Sequence, residues 1–233
     1  MIRLLHKHVK KIFSEIKLFS VEIFVLAGMF IIALSAFIII ARLVFEGRTQ
    51  SFDNRALAFI AGYVTNMRTD IMEFFTFLGT HTFLIPANLL LTAWFLFIKK
   101  RKWYSIKVPA IALSALLLMF TLKLVFRRDR PVDPLLQIAK GFSFPSGHAL
   151  MSVTFYGLLI VIIWQNINRK WLKWVLSFFL VLLILAIGLS RIYLRVHYAS
   201  DVLAGFSVGL VWLLLSLWIL GRIEKYGKKQ LAP

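Results

Sequence analysis

The sequence contains no cysteine and few acidic residues, with 10 Asp and Glu against 28 Lys and Arg among 233 residues. The absence of cysteine excludes disulfides, zinc–thiolate sites and cysteine nucleophiles, and it leaves the redox compartment open. The few carboxylates do not cluster along the chain, so the sequence offers no oxygen-rich site for magnesium. We therefore expect no bound metal and no cofactor.

Apolar residues are abundant instead: they make up 60% of the chain and fall in long runs. A run of about 20 apolar residues is long enough to cross the hydrocarbon core of a bilayer as a helix. The net charge of +18 is explained by contact with anionic lipid headgroups. Nucleic acid is not an expected partner, because no stacking platform or base-reading motif accompanies the basic residues.

The apolar runs predict an all-α integral membrane protein that forms one domain over residues 1–233, since no repeat or linker divides the chain. The six predicted spans cover residues 21–45, part of 71–98, 105–126, 148–164, 171–189 and 202–220. Residues 1–20 are basic and loosely amphipathic, which favours a helix on the membrane surface. The segment FDNRALAFIAGYV predicts a second short interfacial helix, with Asp53 or Asn54 as its N-cap.

The distribution of basic residues predicts the orientation of the spans. Six spans place both termini on one side of the membrane, and the segments on that side carry more Lys and Arg than the opposite loops. By the positive-inside rule, both termini are then cytoplasmic. We therefore expect a protein of the plasma (inner) membrane whose loops after the third and fifth spans face the periplasm or the cell exterior.

The stretch GFSFPSGHAL, residues 141–150, contains the first group of reactive residues. Proline restrains the chain before Ser146, and the apolar run after His148 predicts that a helix begins near Ser146 and Gly147. A helix start carries free N–H groups and the positive end of the helix dipole, which suits a phosphate. Ser146 can cap this helix, and Gly147 lets a ligand approach the backbone. Alone, the motif is equally compatible with a capped helix beside an unrelated histidine.

A second group lies at the end of the third span, where Lys123 is separated by six residues from the Arg-Pro pair at Arg130. An ammonium group at this depth is either functional or reaches along its own side chain to the interface. Arg127 and Arg128, in contrast, are interpreted as anchors on anionic headgroups.

The third group follows the fifth span and contains Ser190-Arg191, His197 and Asp201. Asp201 lies four residues after His197, so the two pair within a helix or across its cap, according to where the sixth span starts. A carboxylate on one ring nitrogen fixes the tautomer and leaves the other nitrogen as a nucleophile or base. Alone, Asp201 is also explained as a helix cap near an interfacial histidine.

All three groups fall on the same predicted face of the membrane. Cations and backbone N–H groups neutralise a phosphoryl group and the charge that develops during its transfer. Two histidines allow one ring to attack phosphorus while the other protonates the leaving oxygen. Together the groups predict phosphoryl transfer.

The spacings Lys-(six)-Arg-Pro, Pro-Ser-Gly-His and Ser-Arg-(five)-His-(three)-Asp, within residues 123–201, resemble the three signature motifs of the type 2 phosphatidic acid phosphatase family. The resemblance implies that His197 is a nucleophile that forms a phosphohistidine, that Asp201 orients it and that His148 is the acid for the leaving group. The residues implied to hold the phosphate are Lys123, Arg130, Ser146, Gly147 and Arg191. The short loop after the third span is similar to that of bacterial phosphatidylglycerophosphate and undecaprenyl pyrophosphate phosphatases.

The expected function is the metal-independent removal of a terminal phosphate from a lipid phosphate or pyrophosphate at the outer face of the membrane. One alternative is a lipid phosphotransferase that uses the same phosphohistidine. Another is a transporter that binds a lipid phosphate without cleaving it. The identity of the lipid and the oligomeric state are left open.

Four other polar residues are predicted to have no specific role. His81, in the second span, is interpreted as a hydrogen-bonded interior residue. Asp53, Arg55 and Arg68 are within reach of a lipid headgroup, but exposed loop charges of this kind seldom have a specific function.

Overall fold

The computed structural model describes the backbone of residues 2–136 and 141–230 and the side chains of residues 23–136 and 141–228. Within these ranges the chain consists of helices and loops without a strand, which confirms the predicted all-α fold. The helices are α1 (Ile2–Phe45), α2 (Gln50–Ala61), α3 (Asn66–Leu78), α4 (His81–Ala93), α5 (Lys102–Phe126), α6 (Gly147–Asn166), α7 (Lys170–Tyr193) and α8 (Ala199–Gln230), with a π-helical turn at Trp94–Ile98. The predicted surface position of residues 1–20 concerns side chains outside the described ranges.

In the part of the chain that the structure describes, six helices are long and apolar enough to cross a membrane, as predicted. The candidate spans are Ile23–Phe45, His81–Ile98, Lys102–Phe126, Gly147–Asn166, Lys170–Tyr193 and Ala199–Lys228. Their outer faces expose large apolar side chains, such as Ile32 at 72%, Leu117 at 69% and Phe179 at 62%. This exposure is unfavourable in water but not in lipid, whose tails are equally apolar. The chain is therefore an integral membrane protein.

The second span lies within the predicted residues 71–98 and occupies the C-terminal part of that range. The helix breaks at Gly79 and Thr80, and the span is His81–Ile98. The Thr80 hydroxyl accepts a hydrogen bond of 3.3 Å from the Phe83 N–H, which caps the new helix. Gly79 is thus a boundary between α3 and α4 rather than a kink within one helix.

The short helix predicted after the first span is present as α2, but its predicted cap is wrong. Thr49 occupies the N-cap position and makes no side-chain capping bond. Asp53 lies within the first turn of α2 and is fully buried. A buried carboxylate requires partners, and those of Asp53 come from distant parts of the chain.

Close packing of α8 against α6 depends on glycine. A Cβ added at Gly205 would lie 2.6 Å from the carbonyl oxygen of Ser146 and 2.8 Å from the Cβ of Ala149. One turn later, a Cβ added at Gly209 would lie 2.8 Å from the carbonyl oxygen of Leu150. Small residues spaced by four let two membrane helices approach to backbone contact. This contact places the start of α6 against the first turns of α8.

Candidate active site

The starts of α6 and α8 meet at one end of the bundle, where the Ser146 N–H donates to the Asp201 carbonyl oxygen at 2.9 Å. As predicted, α6 begins at Gly147 with Ser146 at the N-cap position. The predicted capping bond is wrong, because the Ser146 side chain makes none. A Cβ added at Gly147 would lie 2.5 Å from the sulfur of Met119, so this glycine also lets α5 approach α6. The first N–H groups of α6 have no partner within the helix.

His197 and Asp201 pair as the sequence predicted. Nδ1 of His197 lies 3.4 Å from Oδ2 of Asp201, and both side chains are buried. The same carboxylate oxygen accepts a hydrogen bond of 2.9 Å from the Tyr198 N–H, just before α8 begins at Ala199. Asp201 is therefore both a partner of the histidine and a cap for the start of α8.

Two of the predicted cations converge on this histidine from the end of α5 and the following loop. Arg130 lies 3.3 Å through Nη1 from Nε2 of His197 and donates to the Val196 carbonyl oxygen at 2.7 Å. Its Nη2 also donates to the carbonyl oxygen of Phe142, at 3.5 Å. Lys123, in the last turn of α5, donates to the same Phe142 oxygen. Both cations are thus directed to one place beside the buried ring.

Three buried polar atoms at this end have no partner among the described residues. They are Oγ of Ser146, Nε2 of His148 and Nε of Arg191. Arg191 is held by its other end, since its Nη1 donates to the Thr76 hydroxyl at 2.8 Å. Buried polar groups in folded proteins are nearly always hydrogen-bonded, so a group of unsatisfied atoms indicates a place for a polar ligand.

His148 belongs to the same cluster. Its ring lies within electrostatic reach of the cations Arg191, Arg130 and Lys123 and of the His197 ring. Its other flank contacts the boundary between α3 and α4, where a Cβ added at Gly79 would lie 3.1 Å from its Cδ2. The structure therefore brings together all eight residues that the sequence predicted for the site.

The surroundings of His197 favour its neutral form. Burial lowers the pKa of His197 well below its ordinary value, and the positive charges of Arg191, Arg130 and Lys123 lower it further. Burial also lowers the pKa of Arg130, while the carboxylate of Asp201 opposes that change. A neutral ring with Nδ1 directed to a carboxylate has its lone pair on Nε2, where a nucleophile needs it.

The interpretation of Arg128 as a headgroup anchor is wrong, and so is the dismissal of Asp53 as a loop charge. Arg128 donates at 2.7 Å to Oδ1 of Asp201 and at 2.7 Å to Oδ2 of Asp53, and both carboxylates are fully buried. The guanidinium group also lies 4.2 Å from the ring centre of Tyr198. Neither residue carries a signal in the local sequence, because their contacts join α2, the end of α5 and the start of α8, which are far apart along the chain.

Four other residues noted in the sequence make no side-chain hydrogen bond with the cluster: Arg55, Arg68, His81 and Arg127. Arg127 adopts a left-handed conformation at the end of α5 and donates to the Leu124 carbonyl oxygen from an exposed position. Arg55 and Arg68 are exposed and donate to nearby backbone carbonyls. His81 is exposed at the first position of α4, so its interpretation as an interior residue is wrong.

The sequence of this chain is similar to those of known proteins. A sequence profile of the PAP2 superfamily matches residues 104–225. Phosphatidylglycerophosphatase B of Bacillus subtilis (strain 168) is 28% identical over 200 residues, which cover 83% of this chain and 95% of that protein. Dolichyldiphosphatase of Saccharomyces cerevisiae is 30% identical over 168 residues, which cover 68% of this chain and 69% of that protein.

Solved structures share the fold. The crystal structure of a transmembrane PAP2-type phosphatidylglycerolphosphate phosphatase from Bacillus subtilis matches with a TM-score of 0.77 at 26% identity, covering 83% of this chain and 96% of that one. LpxE of Aquifex aeolicus has the same fold, with a TM-score of 0.58 at 23% identity over 72% of this chain and 95% of that one. The matching profile spans more than half of the chain and includes all three motifs. The chain therefore belongs to the PAP2 superfamily.

Proposed function

We propose that the protein is a membrane phosphatase that hydrolyses the terminal phosphate of a lipid phosphate or pyrophosphate through a phosphohistidine, without a metal. One observation carries the proposal: three buried polar atoms without partners among the described residues, on Ser146, His148 and Arg191, lie at the end of the bundle where the cations converge on His197. A phosphoryl group supplies oxygen acceptors for unsatisfied donors and negative charge to balance the cations. Membership of the PAP2 superfamily and the names of the relatives support the same reaction.

The reaction has two steps on this geometry. First, Nε2 of His197 forms a bond to phosphorus while the bond from phosphorus to the lipid oxygen breaks, and His148 gives its proton to that oxygen. Then a water molecule attacks phosphorus, His148 takes a proton from it, and the P–N bond breaks to release phosphate. Asp201, 3.4 Å from Nδ1, keeps the proton on that nitrogen and stabilises the charged ring of the intermediate.

Positive charge supplied by the chain stabilises the transferring group. Lys123, Arg130 and Arg191 reach the cluster from α5, the following loop and α7. The free N–H groups at the start of α6 add the positive end of a helix dipole. In phosphoryl transfer such fixed donors neutralise the charge on the equatorial oxygens.

The substrate is a lipid because the cluster lies at the end of a bundle whose outer surface is apolar. The names of the two relatives point to a phosphatidylglycerol phosphate and a dolichyl diphosphate, which share a terminal phosphate on a long apolar molecule. The Lys and Arg distribution supports cytoplasmic termini. The cluster then faces the periplasm or the cell exterior from the plasma (inner) membrane.

The decisive experiment is phosphate release by the purified full-length protein in detergent micelles. Phosphatidylglycerol phosphate, phosphatidic acid and undecaprenyl pyrophosphate should be tested, each labelled in the terminal phosphate. We expect free labelled phosphate in the presence of chelator, and an acid-labile label on the protein in rapidly quenched samples. His197→Ala should remove both signals, and Arg127→Ala should retain both.

Other outcomes favour the alternatives. A label that passes to a second lipid rather than to water would indicate a phosphotransferase. Lipid binding without release of phosphate would indicate a transporter and would overturn the proposal. A requirement for magnesium would contradict the metal-free reaction.

A further inference from the structure

A fully buried carboxylate outside the three motifs is tied to the site through Arg128. Asp53 accepts from Nη2 of Arg128 at 2.7 Å and from the Ser200 N–H and hydroxyl at 2.9 and 2.7 Å. Nη1 of Arg128 donates at 2.7 Å to Asp201 and at 2.7 Å to the Ser200 hydroxyl. Thr49, at the N-cap of α2, adds an acceptor at 3.2 Å. The first turn of α2 is thus fastened to the first turn of α8.

We propose that Asp53 and Arg128 are positioning residues that fix both the orientation and the effective charge of the Asp201 carboxylate that holds His197. This inference rests on the proposed function, because it assigns to the two residues an effect on the nucleophile of that reaction. Neither side chain is placed to touch the substrate, because both carboxylate oxygens of Asp53 are bound by Arg128 and Ser200, and Arg128 binds the oxygen of Asp201 that does not face the histidine.

The orientation follows from the division of the two carboxylate oxygens of Asp201. Arg128 binds Oδ1, and Oδ2 is left for Nδ1 of His197 and for the Tyr198 N–H. A carboxylate free of Arg128 could rotate about its last side-chain bond and exchange its two oxygens. The guanidinium group prevents this, and the Tyr198 ring at 4.2 Å supports it from one face.

The effective charge follows from the position of Arg128 between two carboxylates. Its single positive charge interacts with both Asp53 and Asp201. Arg128 therefore neutralises Asp201 less than it would if it were paired with Asp201 alone, and more of the negative charge of Asp201 acts on the histidine. Without the charge of Asp53, Arg128 would act on Asp201 alone and weaken its hold on the proton at Nδ1. Without Arg128, the charge of Asp201 would act on the ring undiminished. The two losses therefore shift the proton affinity of His197 in opposite directions.

The other charged and titratable groups near His197 are the same in all these variants. They are Lys123 from α5, Arg130 from the following loop, His148 from α6 and Arg191 from α7. A difference between variants in the acid limb of the pH profile of kcat/KM then reports the change at Asp53 or Arg128. The ionisation of the substrate phosphate contributes equally to each profile.

The test uses the full-length protein in micelles, with one lipid phosphate that the wild type hydrolyses. Asp53→Asn should lower kcat by about 10–100-fold, a usual cost of losing the partner of an orienting ligand, with KM little changed. Its acid limb should move to lower pH. Arg128→Gln should also lower kcat, but its acid limb should move to higher pH. The double variant Asp53→Asn/Arg128→Gln, which restores the charge balance, should return the limb toward that of the wild type.

Two further variants keep the result decisive. Arg127→Gln removes a neighbouring but exposed arginine and should leave kcat and the limb unchanged. If Arg128→Gln does not fold, the kcat and pH profile of Asp53→Asn alone test the proposal. The amide of this variant retains the shape of the carboxylate and an acceptor for the Ser200 N–H, so we expect it to fold. Variants that lose thermal stability while the folded fraction keeps the wild-type kcat and limb would overturn the proposal and leave the pair a structural one. A wild-type protein that releases no phosphate from any lipid would instead overturn the proposed function.

Discussion

The two ends of the helical bundle differ in how they accommodate charge. At the end with the histidines, the carboxylates of Asp53 and Asp201 are fully buried and share Arg128, whose side chain is 15% exposed. At the opposite end, Glu224 binds Lys107, and these side chains are 21% and 13% exposed. The carboxylates are therefore enclosed completely at one end and remain partly exposed at the other.

Cations at the opposite end also have looser partners. Several lie over aromatic rings at 5.5 to 6.0 Å: Lys99 on Trp94, Arg101 and Lys107 on Tyr104, Lys173 on Trp164 and Arg222 on Trp218. Such contacts contribute roughly 0.5–1 kcal/mol at exposed sites and tolerate rearrangement. The enclosed charges cannot rearrange without leaving a buried group unpaired, and fixed charges are what a phosphoryl transition state requires. Changes at the two ends should therefore have very different effects on turnover.

The largest expected effect is at the nucleophile. His197→Ala should reduce phosphate release to the level without enzyme, because the proposed P–N bond forms on the His197 ring. The variant should still elute as a folded protein in size-exclusion chromatography. Residual turnover well above background, measured by release of labelled phosphate, would contradict the assignment of His197 and transfer the role to His148.

The next largest losses of turnover are expected for the cations of the site. Arg127 and Arg130, three residues apart, allow an exposed arginine to be compared with one directed into the site. Arg130→Ala or Arg191→Ala should lower kcat by about 10²–10³, the usual loss when one donor to a transition-state charge is removed. Arg127→Ala should change kcat less than twofold, because its side chain is exposed and donates only to its own helix. Equal losses in Arg127→Ala and Arg130→Ala would show that exposure does not distinguish functional from anchoring arginines.

The arginines also show what could be predicted from the sequence. The spacing of polar residues along apolar runs was sufficient for the six spans and for the residues that meet in the site, because each motif sits at the end of a span. Arg127 and Arg128 look alike at that level, since both follow the same apolar run. Only the fold shows that one turns outward at the end of α5 and that the other enters a gap between α2 and α8.

Asp53 illustrates the same limit from the other side. Its position at the start of a short amphipathic segment is typical of a helix cap, and local pattern contains nothing to contradict that interpretation. Its actual partners, Arg128 and Ser200, lie 75 and 147 residues away along the chain. The capping bond predicted for Ser146 is absent for a related reason. A residue at an N-cap position can direct its hydroxyl into the site instead of back to its own helix.

The contact between α6 and α8 provides a third test, now of stability. Gly205→Ala would bring a Cβ within 2.6 Å of the Ser146 carbonyl oxygen, a backbone atom that cannot move cheaply. We expect the free energy of unfolding to fall by about 1–3 kcal/mol. Turnover should also fall, because the start of α6 is displaced. Gly221→Ala, on the same helix with nothing within 4 Å, should be neutral or slightly stabilising. Thermal unfolding in detergent compares the two, and equal midpoints would contradict close packing at Gly205.

The pH dependence of stability tests the enclosure of His197. Burial, followed by the cations Arg191, Arg130 and Lys123, lowers the pKa of His197 below the ordinary value of about 6.5. As the pH falls below that value, the unfolded chain binds a proton that the folded protein excludes, so stability falls, by at most about 1.4 kcal/mol per pH unit. Thermal unfolding between pH 8 and pH 5 should show a smaller decline for His197→Gln than for the wild type. Equal declines would indicate that the folded protein accepts the proton.

The smallest effect is expected at the opposite end of α8, where Glu224 binds Lys107. Glu224→Gln removes partly exposed ion pairs with Lys107 and Lys228, each of which contributes roughly 0–1 kcal/mol, and Lys107 retains the Tyr104 ring at 5.6 Å. Turnover should therefore stay within twofold of the wild type. Asp201→Asn removes one carboxylate from the same helix but from the enclosed end, and it should lower kcat by at least the 10²-fold expected for Arg130. Both variants lose one negative charge from α8, so a comparison of their phosphate release shows the effect of position alone. A comparable loss in Glu224→Gln would mean that α8 transmits changes from one end to the other, and that the proposed difference between the two ends is wrong.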